Sequence, residues 1–185
     1  MNQYYWQGQK VRLRGIEPED WQYYILWDQD TEAARSLYFV PPPQSVEACR
    51  KMTAERSLKR GENEVFDWMI DNLKGETVGS INTHSVERRY GTFSYGVFIQ
   101  QEYRGQGYAD EAVRMLLRYY FDELGYQKCT VGVYEFNMGS VRLHEKLGFQ
   151  LEGRIRRMIY TKGIYHDELR YGITADEFRA LDGIG

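Results

Sequence analysis

The sequence feature that most constrains the fold is QEYRGQGYADEAVR, residues 101–114. The apolar run YGVFI comes directly before it, and the segment that follows carries apolar residues at helical spacing. Gly105 and Gly107 therefore lie where a strand gives way to a helix. A second apolar run, KCTVGVY, follows that helix. This order predicts two parallel strands over residues 93–134, joined by a right-handed helical crossover.

The remaining periodic segments predict one domain built around a single sheet. KVRLRGI alternates as a strand does, and helices are expected over residues 18–30 and 45–61. Three antiparallel strands precede the glycine stretch, and a short helix and a closing hairpin follow it. We expect an α+β (mixed α/β) fold in a single domain over residues 1–185. Its central, mostly antiparallel sheet has about seven strands, flanked by about four helices.

Composition narrows the class of protein. The net charge of −3 argues against non-specific binding to nucleic acid, which needs a large positive surface. The sequence contains neither an apolar stretch of about 20 residues nor an apolar signal region, so no membrane association is expected. Cys49 and Cys129 lie far apart and form no CxxC pair, which favours reduced thiols. We expect a cytoplasmic protein without a bound metal.

The glycine stretch is typical of an anion site. The first N–H groups of a helix have no partner within it, and the helix dipole adds positive charge, so a phosphate is favoured there. Arg104 would add a fixed cation. The P-loop pattern GxxxxGK followed by Ser or Thr is absent, and so is GxGxxG. A turn without a ligand and a nucleotide site of another kind remain alternatives at this point.

Two downstream segments give the stretch a family resemblance. RGQGYA has the spacing Arg/Gln-x-x-Gly-x-Gly/Ala at Arg104, Gly107 and Ala109, and FNMGSVRLHEKLGF follows the next strand. In this order the segments resemble the GNAT superfamily of acyl-CoA-dependent N-acyltransferases. VRLRGIEPED and EGRIRRMIYTKGIYHDELRYGI extend the resemblance over most of the chain, and they look most like the RimJ/RimL-like branch. The resemblance implies acetyl-CoA as co-substrate, and a sheet that splays in the middle.

The resemblance also implies which residues contact acetyl-CoA. The turn before the helix would bind the pyrophosphate, and main-chain groups of the preceding strand would pair with the pantetheine arm. Asn137 would bond to that arm, although an N-cap role is equally sound. Leu147, Gly148 and Phe149 are interpreted as structural. The expected contacts are Phe98, Ile99, Arg104, Gly105, Gln106, Gly107, Tyr108, Ala109, Asn137 and Ser140.

Two catalytic positions depart from the family pattern. His144 stands where many members carry a Tyr whose hydroxyl reaches the sulfur, so His144 is the candidate general acid. The alternative is a histidine that only packs or hydrogen-bonds. Ser94 stands where related enzymes often carry a Glu that serves as general base, and a lone hydroxyl is a poor base. Asp67, in the apolar run VFDWMI, is a weak candidate for that role, with bulk water, His84, Glu102 and Asp167 as alternatives.

The resemblance leaves the acceptor of the acetyl group open. It implies transfer to a primary amine by direct attack in a ternary complex. We rank a protein N-terminal amine, of the ribosomal-protein-alanine type, first. A polyamine such as spermidine, or an antibiotic, comes second, since GENEVFD, Glu32 and Glu47 offer carboxylates. With both departures, the chain could instead be a non-catalytic acetyl-CoA sensor. A homodimer is also expected.

Overall fold

A computed structural model describes residues 4–37 and 39–182, with the side chain of residue 182 left out. Within this range the chain forms seven strands and six α-helices. The strands are β1 (Val11–Arg14), β2 (Asp67–Asn72), β3 (Thr77–Glu87), β4 (Thr92–Ile99), β5 (Lys128–Tyr134), β6 (Gln150–Thr161) and β7 (Ile164–Thr174). The helices are α1 (Trp21–Trp27), α2 (Thr31–Leu37), α3 (Val46–Ser57), α4 (Tyr108–Arg118), α5 (Met138–Lys146) and α6 (Ala175–Asp182).

All seven strands belong to one sheet, in the order β1-β2-β3-β4-β5-β7-β6. β4 and β5 pair in parallel, whereas β1 with β2, β2 with β3, β5 with β7 and β6 with β7 pair antiparallel. Because α4 lies between β4 and β5 in the chain, the expected helical crossover is present. The α+β class and the mostly antiparallel sheet of about seven strands are confirmed.

The pairing of β4 with β5 is short. Thr92 pairs with Lys128 and Phe93 with Cys129, and the register ends there. β5 instead pairs with β7 along its whole length. The splay expected in the middle of the sheet is therefore present, and it begins directly after Phe93.

The chain divides into two compact units, residues 1–82 with 96–112 and residues 83–95 with 113–185. The core of the first unit contains Ile16, Trp27 and Met69, with Tyr23, Tyr24 and Phe98 packed against them. In the second unit Phe93 stacks on Tyr120 with ring centroids 4.0 Å apart, and Phe121, Tyr126, Phe178 and Ile173 are buried. The single domain over residues 1–185 stays a prediction, and residues 1–3, 38 and 183–185 of that range lie outside the described part.

Two helices are present that the periodicity did not predict. The run predicted as one helix over residues 18–30 ends at Trp27, and α2 begins at Thr31, where Asp30 Oδ1 accepts the N–H of Ala33 at 2.9 Å. At α6, Thr174 and Glu177 exchange side-chain to backbone hydrogen bonds, an arrangement known as a capping box. The sequence TADE carries the capping-box signal. The signal is weak because TADE directly follows a strand and the helix after it is short.

No helix in the described ranges is both long enough and apolar enough to cross a membrane.

Candidate functional site

The glycine turn, residues 104–109, has the backbone that the sequence predicts. Gly105 has φ +78° and Gly107 has φ +84°, both in the region that residues other than glycine rarely adopt. α4 begins directly afterwards at Tyr108. A Cβ added at Gly107 would lie 2.7 Å from Lys10 Nζ, whereas one added at Gly105 would meet nothing within 4 Å. Gly107 is therefore favoured by its dihedral angle, and an added side chain would also displace the Lys10 ammonium.

Lys10 is the cation that contacts this turn. Its Nζ donates to the carbonyl oxygen of Gln106 at 3.0 Å. Lys10 and Gln106 are 96 positions apart in the chain, and Lys10 directly precedes β1. No local pattern relates the two residues, so sequence reasoning missed this contact.

Glu111, in the first turn of α4, fixes the position of Lys10. Its carboxylate accepts the backbone N–H groups of Gln9 at 2.8 Å, Lys10 at 2.7 Å and Val11 at 2.8 Å. Hydrogen bonds to an ionised acceptor are stronger than neutral ones. The segment before β1 is therefore attached to the helix that the glycine turn begins. The sequence offered no signal for this contact beyond an acidic residue near a helix N-terminus.

Arg104, predicted as the fixed cation of the turn, contacts the end of β4. Its Nε donates to the Ile99 carbonyl oxygen at 2.9 Å, and its Nη2 lies 3.6 Å from Asp30 Oδ2. The side chain is 48% exposed. Part of the guanidinium is thus committed to protein partners, and a phosphate contact by Arg104 stays a prediction.

The main chain of β4 presents alternate residues to opposite edges of the strand. Gln100 N–H donates to the Val78 carbonyl at 2.9 Å, and a Cβ added at Gly79 would overlap the Phe98 carbonyl oxygen. Phe98 and Gln100 therefore direct their polar groups at β3. By alternation, Val97 and Ile99 direct theirs to the other edge. Of the two predicted pantetheine contacts, strand geometry favours Ile99, and it adds Val97, which sequence reasoning did not name.

At the start of α5, Asn137 caps the helix. Its Oδ1 accepts the N–H of Ser140 at 3.1 Å, which confirms the alternative offered for this residue. Ser140 in turn lies beside His144, with its Oγ 3.3 Å from His144 Nδ1. Gly148 has φ +89°, and Leu147 and Phe149 are buried, as expected of structural residues.

His144 is buried, at 4% exposure, with hydrogen-bond partners on both ring nitrogens. Nδ1 is 2.8 Å from the carbonyl oxygen of Ser140, and Nε2 is 2.9 Å from the hydroxyl oxygen of Tyr95. Phe149 packs edge-on against the ring at 5.1 Å, and Tyr171 stacks at 6.2 Å. Tyr95 lies in an apolar strand, which predicts only a core residue, so its contact with His144 was missed.

Burial keeps the side chains of Tyr95 and His144 in their neutral forms. It lowers the pKa of His144, an effect that the hydrogen bond to the Ser140 backbone opposes. It also raises the pKa of the Tyr95 hydroxyl well above its usual range. Both side chains are therefore neutral near pH 7, and the imidazolium is the minor form. The general-acid role of His144 stays a prediction.

The two positions first considered for the general base have other surroundings. Asp67, at the start of β2, pairs with Arg56, whose Nη2 lies 3.1 Å from Asp67 Oδ1. Ser94 is 7% exposed within β4. Both assignments stay predictions.

The alternative bases lie on different elements. Asp167 accepts from Arg154 Nη1 at 3.0 Å and from the N–H of Arg157 at 2.9 Å, and these bonds lower its pKa. Asp167 on β7 is therefore paired with Arg154 of β6. His84 Nδ1 lies 3.1 Å from Ser85 Oγ, and burial lowers its pKa. Glu102 accepts from Gln100 Nε2 at 2.8 Å.

A cavity of about 410 Å³ lies within the first compact unit. Its lining includes three carboxylates and, among the described residues, no basic side chain. Two of the carboxylates also pair with arginines outside the lining, Asp30 with Arg104 and Glu32 with Arg35. Apolar walls are supplied by Leu26 and by Trp27, which packs on Phe98 with centroids 4.9 Å apart. The carboxylates are Asp30, Glu32 and Glu102.

Within the described ranges, no three His, Cys, Asp or Glu side chains are grouped so that they could hold a metal ion.

The family model of the GNAT acetyltransferase domain matches residues 10–150 of this chain. The chain belongs to the GNAT family. It is 39% identical over 180 residues to YokL of Bacillus subtilis, a prophage-derived uncharacterized N-acetyltransferase, covering 97% of this chain and 98% of YokL. GNAT membership makes it an acyltransferase that uses acetyl-CoA.

More distant relatives differ in what their names say. The spermidine N(1)-acetyltransferase of Escherichia coli K12 is 24% identical over 173 residues, covering 92% of this chain and 89% of that protein. YdaF of Bacillus subtilis, provisionally named a ribosomal N-acetyltransferase, is 24% identical over 184 residues, covering 92% and 94%. The RimJ/RimL-like branch is thus not singled out within the family.

The GNAT fold is shared with solved structures. The spermidine N-acetyltransferase of Vibrio cholerae, in complex with CoA and spermine, superimposes with a TM-score of 0.80 at 19% identity, covering 92% of this chain and 99% of that one. The residues of the glycine turn fit acetyl-CoA chemically. Glycine backbone at positive φ, the start of an α-helix and the Lys10 ammonium together supply N–H donors and positive charge for a pyrophosphate.

Proposed function

We propose that this GNAT enzyme transfers the acetyl group of acetyl-CoA to a primary amine of a small polycation such as spermidine. The observation that carries the proposal is the cavity lined by Asp30, Glu32 and Glu102. Carboxylates attract a chain of ammonium groups, and the faces of Trp27 and Phe98 suit its methylene segments and its charges. The proposal reverses the order in which the sequence ranked the acceptors.

A protein N-terminal amine is the second candidate. It is supported by the sequence resemblance of β1, β6 and β7 to the RimJ/RimL-like branch and by the likeness to YdaF. Since YdaF and the spermidine enzyme are equally identical to this chain, identity does not choose between the acceptors. The charge of the cavity supports the polyamine, because a single N-terminal ammonium needs fewer carboxylates.

Acetyl-CoA is assigned to the residues that the family resemblance names, with Lys10 and Val97 added. The glycine turn, with Arg104, Gly105, Gln106, Gly107, Tyr108 and Ala109, binds the pyrophosphate with the help of Lys10. The polar main-chain groups of Val97 and Ile99 bond to the pantetheine arm, and Phe98 supports the strand. Asn137 and Ser140 supply further polar contacts. When bound, acetyl-CoA supplies an activated acyl group, and the chain's residues orient it and move protons.

Transfer is direct, in a ternary complex. A covalent acetyl-enzyme would need an ionised nucleophile, and a cysteine thiolate is the usual one. Cys49 and Cys129 are free and buried, and burial raises the pKa of both thiols. Buried neutral thiols also suit a cytoplasmic location, which stays a prediction together with the homodimer.

An acceptor panel tests the proposal by measuring release of free coenzyme A. Spermidine, spermine, an aminoglycoside and peptides with N-terminal Ala or Ser are compared at matched concentrations. We expect the highest kcat/KM with spermidine or spermine. Glu102→Gln should raise KM for spermidine roughly two- to fivefold, because it removes one partly exposed ion pair. Glu55→Gln, exposed on α3 and absent from the cavity lining, is the matched control.

Two results would contradict the proposal. Faster turnover of the Ala peptide, with a KM that Glu102→Gln leaves unchanged, would establish the N-terminal amine instead. Stabilisation by acetyl-CoA without coenzyme A release from any amine would establish the non-catalytic sensor.

A further inference from the structure

The contact between Tyr95 and His144 lies where β4 loses its parallel partner. Phe93 is the last residue of β4 that pairs with β5, and Tyr95 is two residues beyond it. Its hydroxyl oxygen is 2.9 Å from His144 Nε2. All of these residues belong to the same compact unit. A hydroxyl and an imidazole in hydrogen-bond contact are thus placed at the start of the splay.

The partner of His144 Nδ1 determines which residue donates in the hydrogen bond between Tyr95 and His144 Nε2. His144 Nδ1 lies 2.8 Å from the Ser140 carbonyl oxygen, which can only accept. We therefore assign the proton of the neutral ring to Nδ1, which leaves Nε2 as an acceptor. The Tyr95 hydroxyl then donates to His144. A hydroxyl bonded to an imidazole that a third group orients is the arrangement by which enzymes activate hydroxyl groups.

We propose that Tyr95 is a catalytic residue of acetyl transfer and that His144, positioned by the Ser140 carbonyl, accepts the Tyr95 proton. This inference rests on the proposed transfer to a primary amine, and it offers a proton acceptor other than Ser94 and Asp67. It assigns the reacting hydroxyl to β4 rather than to α5, where the family pattern places a Tyr.

The protons balance over one turnover. The reacting ammonium first loses one proton to water, and the neutral amine is the nucleophile. As the amine nitrogen bonds to the acetyl carbon, one further amine proton passes to Tyr95 Oη and the Tyr95 proton passes to His144 Nε2. The resulting imidazolium keeps its Nδ1–H on Ser140. As the bond from carbon to sulfur breaks, His144 returns its proton to Tyr95, and Tyr95 gives one to the departing sulfur. The products are the amide and the free thiol, and both side chains are restored.

The surroundings of the ring favour the neutral starting state. The titratable groups packed near the pair are Cys129 on β5, Tyr171 on β7 and Glu145 on α5. Burial raises the pKa of Cys129 well above its usual range, so the thiol is neutral. The Tyr171 hydroxyl lies 3.4 Å from Glu145 Oε1, so it does not compete with Tyr95 for His144. Phe149 covers the ring edge-on.

A pH profile separates this role from the general-acid role. A His144 that accepts a proton must start neutral, so kcat/KM should fall as pH decreases through the lowered pKa of His144. A general acid must start protonated and would lose activity as pH rises through the same pKa. An acidic limb that His144→Gln abolishes supports the proposal. Loss of activity on raising the pH, abolished by the same variant, overturns it.

Nuclear magnetic resonance of the protein without acetyl-CoA gives a readout independent of activity. We expect His144 to be the Nδ1–H tautomer near pH 7, and Tyr95→Phe to shift its Nε2 resonance. The Nε2–H tautomer would overturn the proposal, since Nε2 could not then accept the Tyr95 proton.

The decisive variant is Tyr95→Phe, which keeps the ring and removes the hydroxyl. We expect kcat to fall roughly 100-fold, the usual size of an acid–base contribution, with acetyl-CoA affinity changed by less than about twofold. Tyr171→Phe, whose hydroxyl contacts Glu145 instead, is the matched control. Full turnover by Tyr95→Phe would overturn the proposal. A wild-type protein that acetylates no amine would refute the proposed function instead, while the resonance measurement still tests the pair.

Discussion

The glycine turn and the surroundings of His144 obtain their polar groups in opposite ways. At the turn, two glycines expose backbone, and the Lys10 side chain approaches from a distant part of the chain. Around His144, buried side chains from β4 and β7 and a main-chain carbonyl of α5 contact one ring. The first site depends on consecutive residues, and the second depends on residues distant in sequence. A single substitution in the glycine turn should therefore change acetyl-CoA binding, and one beside His144 should change proton transfer.

Gly107→Val breaks the turn and has the largest expected effect on binding. A side chain here must adopt φ +84° and approach Lys10 Nζ. Backbone strain of this kind costs about 1–3 kcal/mol. We expect acetyl-CoA affinity, measured by calorimetry, to fall roughly 10- to 100-fold. Gly75→Val, at φ +82° with nothing within 4 Å, is the control for strain alone. Equal losses of affinity in both variants would contradict the role of the turn.

Glu111→Ala tests how far the glycine turn depends on the segment before β1, which Glu111 holds in place. The substitution leaves the N–H groups of Gln9, Lys10 and Val11 without their acceptor. Only the Val11 bond is partly buried, so we expect a loss of about 1–2 kcal/mol in the free energy of unfolding. Urea denaturation measures it, with the exposed Glu55→Ala in α3 as control. Unchanged stability would show that the segment before β1 is supported by other contacts.

The pH dependence of stability sharpens the description of the second site and has the smallest expected effect. Because burial lowers the pKa of folded His144 below 6.5, the unfolded chain binds a proton first as pH falls. The contribution of His144 to the free energy of unfolding is therefore present above pH 6.5 and is lost as the pH falls below it. Thermal melts between pH 7.5 and about 5 should show a smaller decrease in Tm for His144→Gln than for the wild type. His84 contributes in the same direction in both proteins.

The same contrast explains what the sequence could and could not predict. Gly105 and Gly107 carry their conformation in the local pattern, and so do the Asn137 cap and Gly148. The succession of strands along the chain followed from alternation, and the parallel pairing of β4 with β5 followed from the helix between them. These are properties of neighbouring residues, for which spacing is sufficient information.

The missed residues share a different property. Lys10, Glu111 and Tyr95 act through partners far along the chain, and their local contexts are ordinary: a basic residue before a strand, an acidic residue in a first helical turn and an aromatic residue in an apolar strand. Arg104 shows the converse, because its local context predicted a phosphate contact while Ile99 and Asp30 take part of its guanidinium. Side-chain pairing across the fold is decided by packing, which a single sequence does not specify.

The carboxylate of Glu111 also links the glycine turn to three backbone amides outside it. The amides of Gln9, Lys10 and Val11 exchange with solvent only when their bonds to Glu111 open. A ligand that orders the first turn of α4 makes such openings rarer. Deuterium uptake at residues 9–11 thus reports occupancy of a turn about a hundred positions away. The segment before β1 is in this sense part of the binding equilibrium, although it need not touch the ligand.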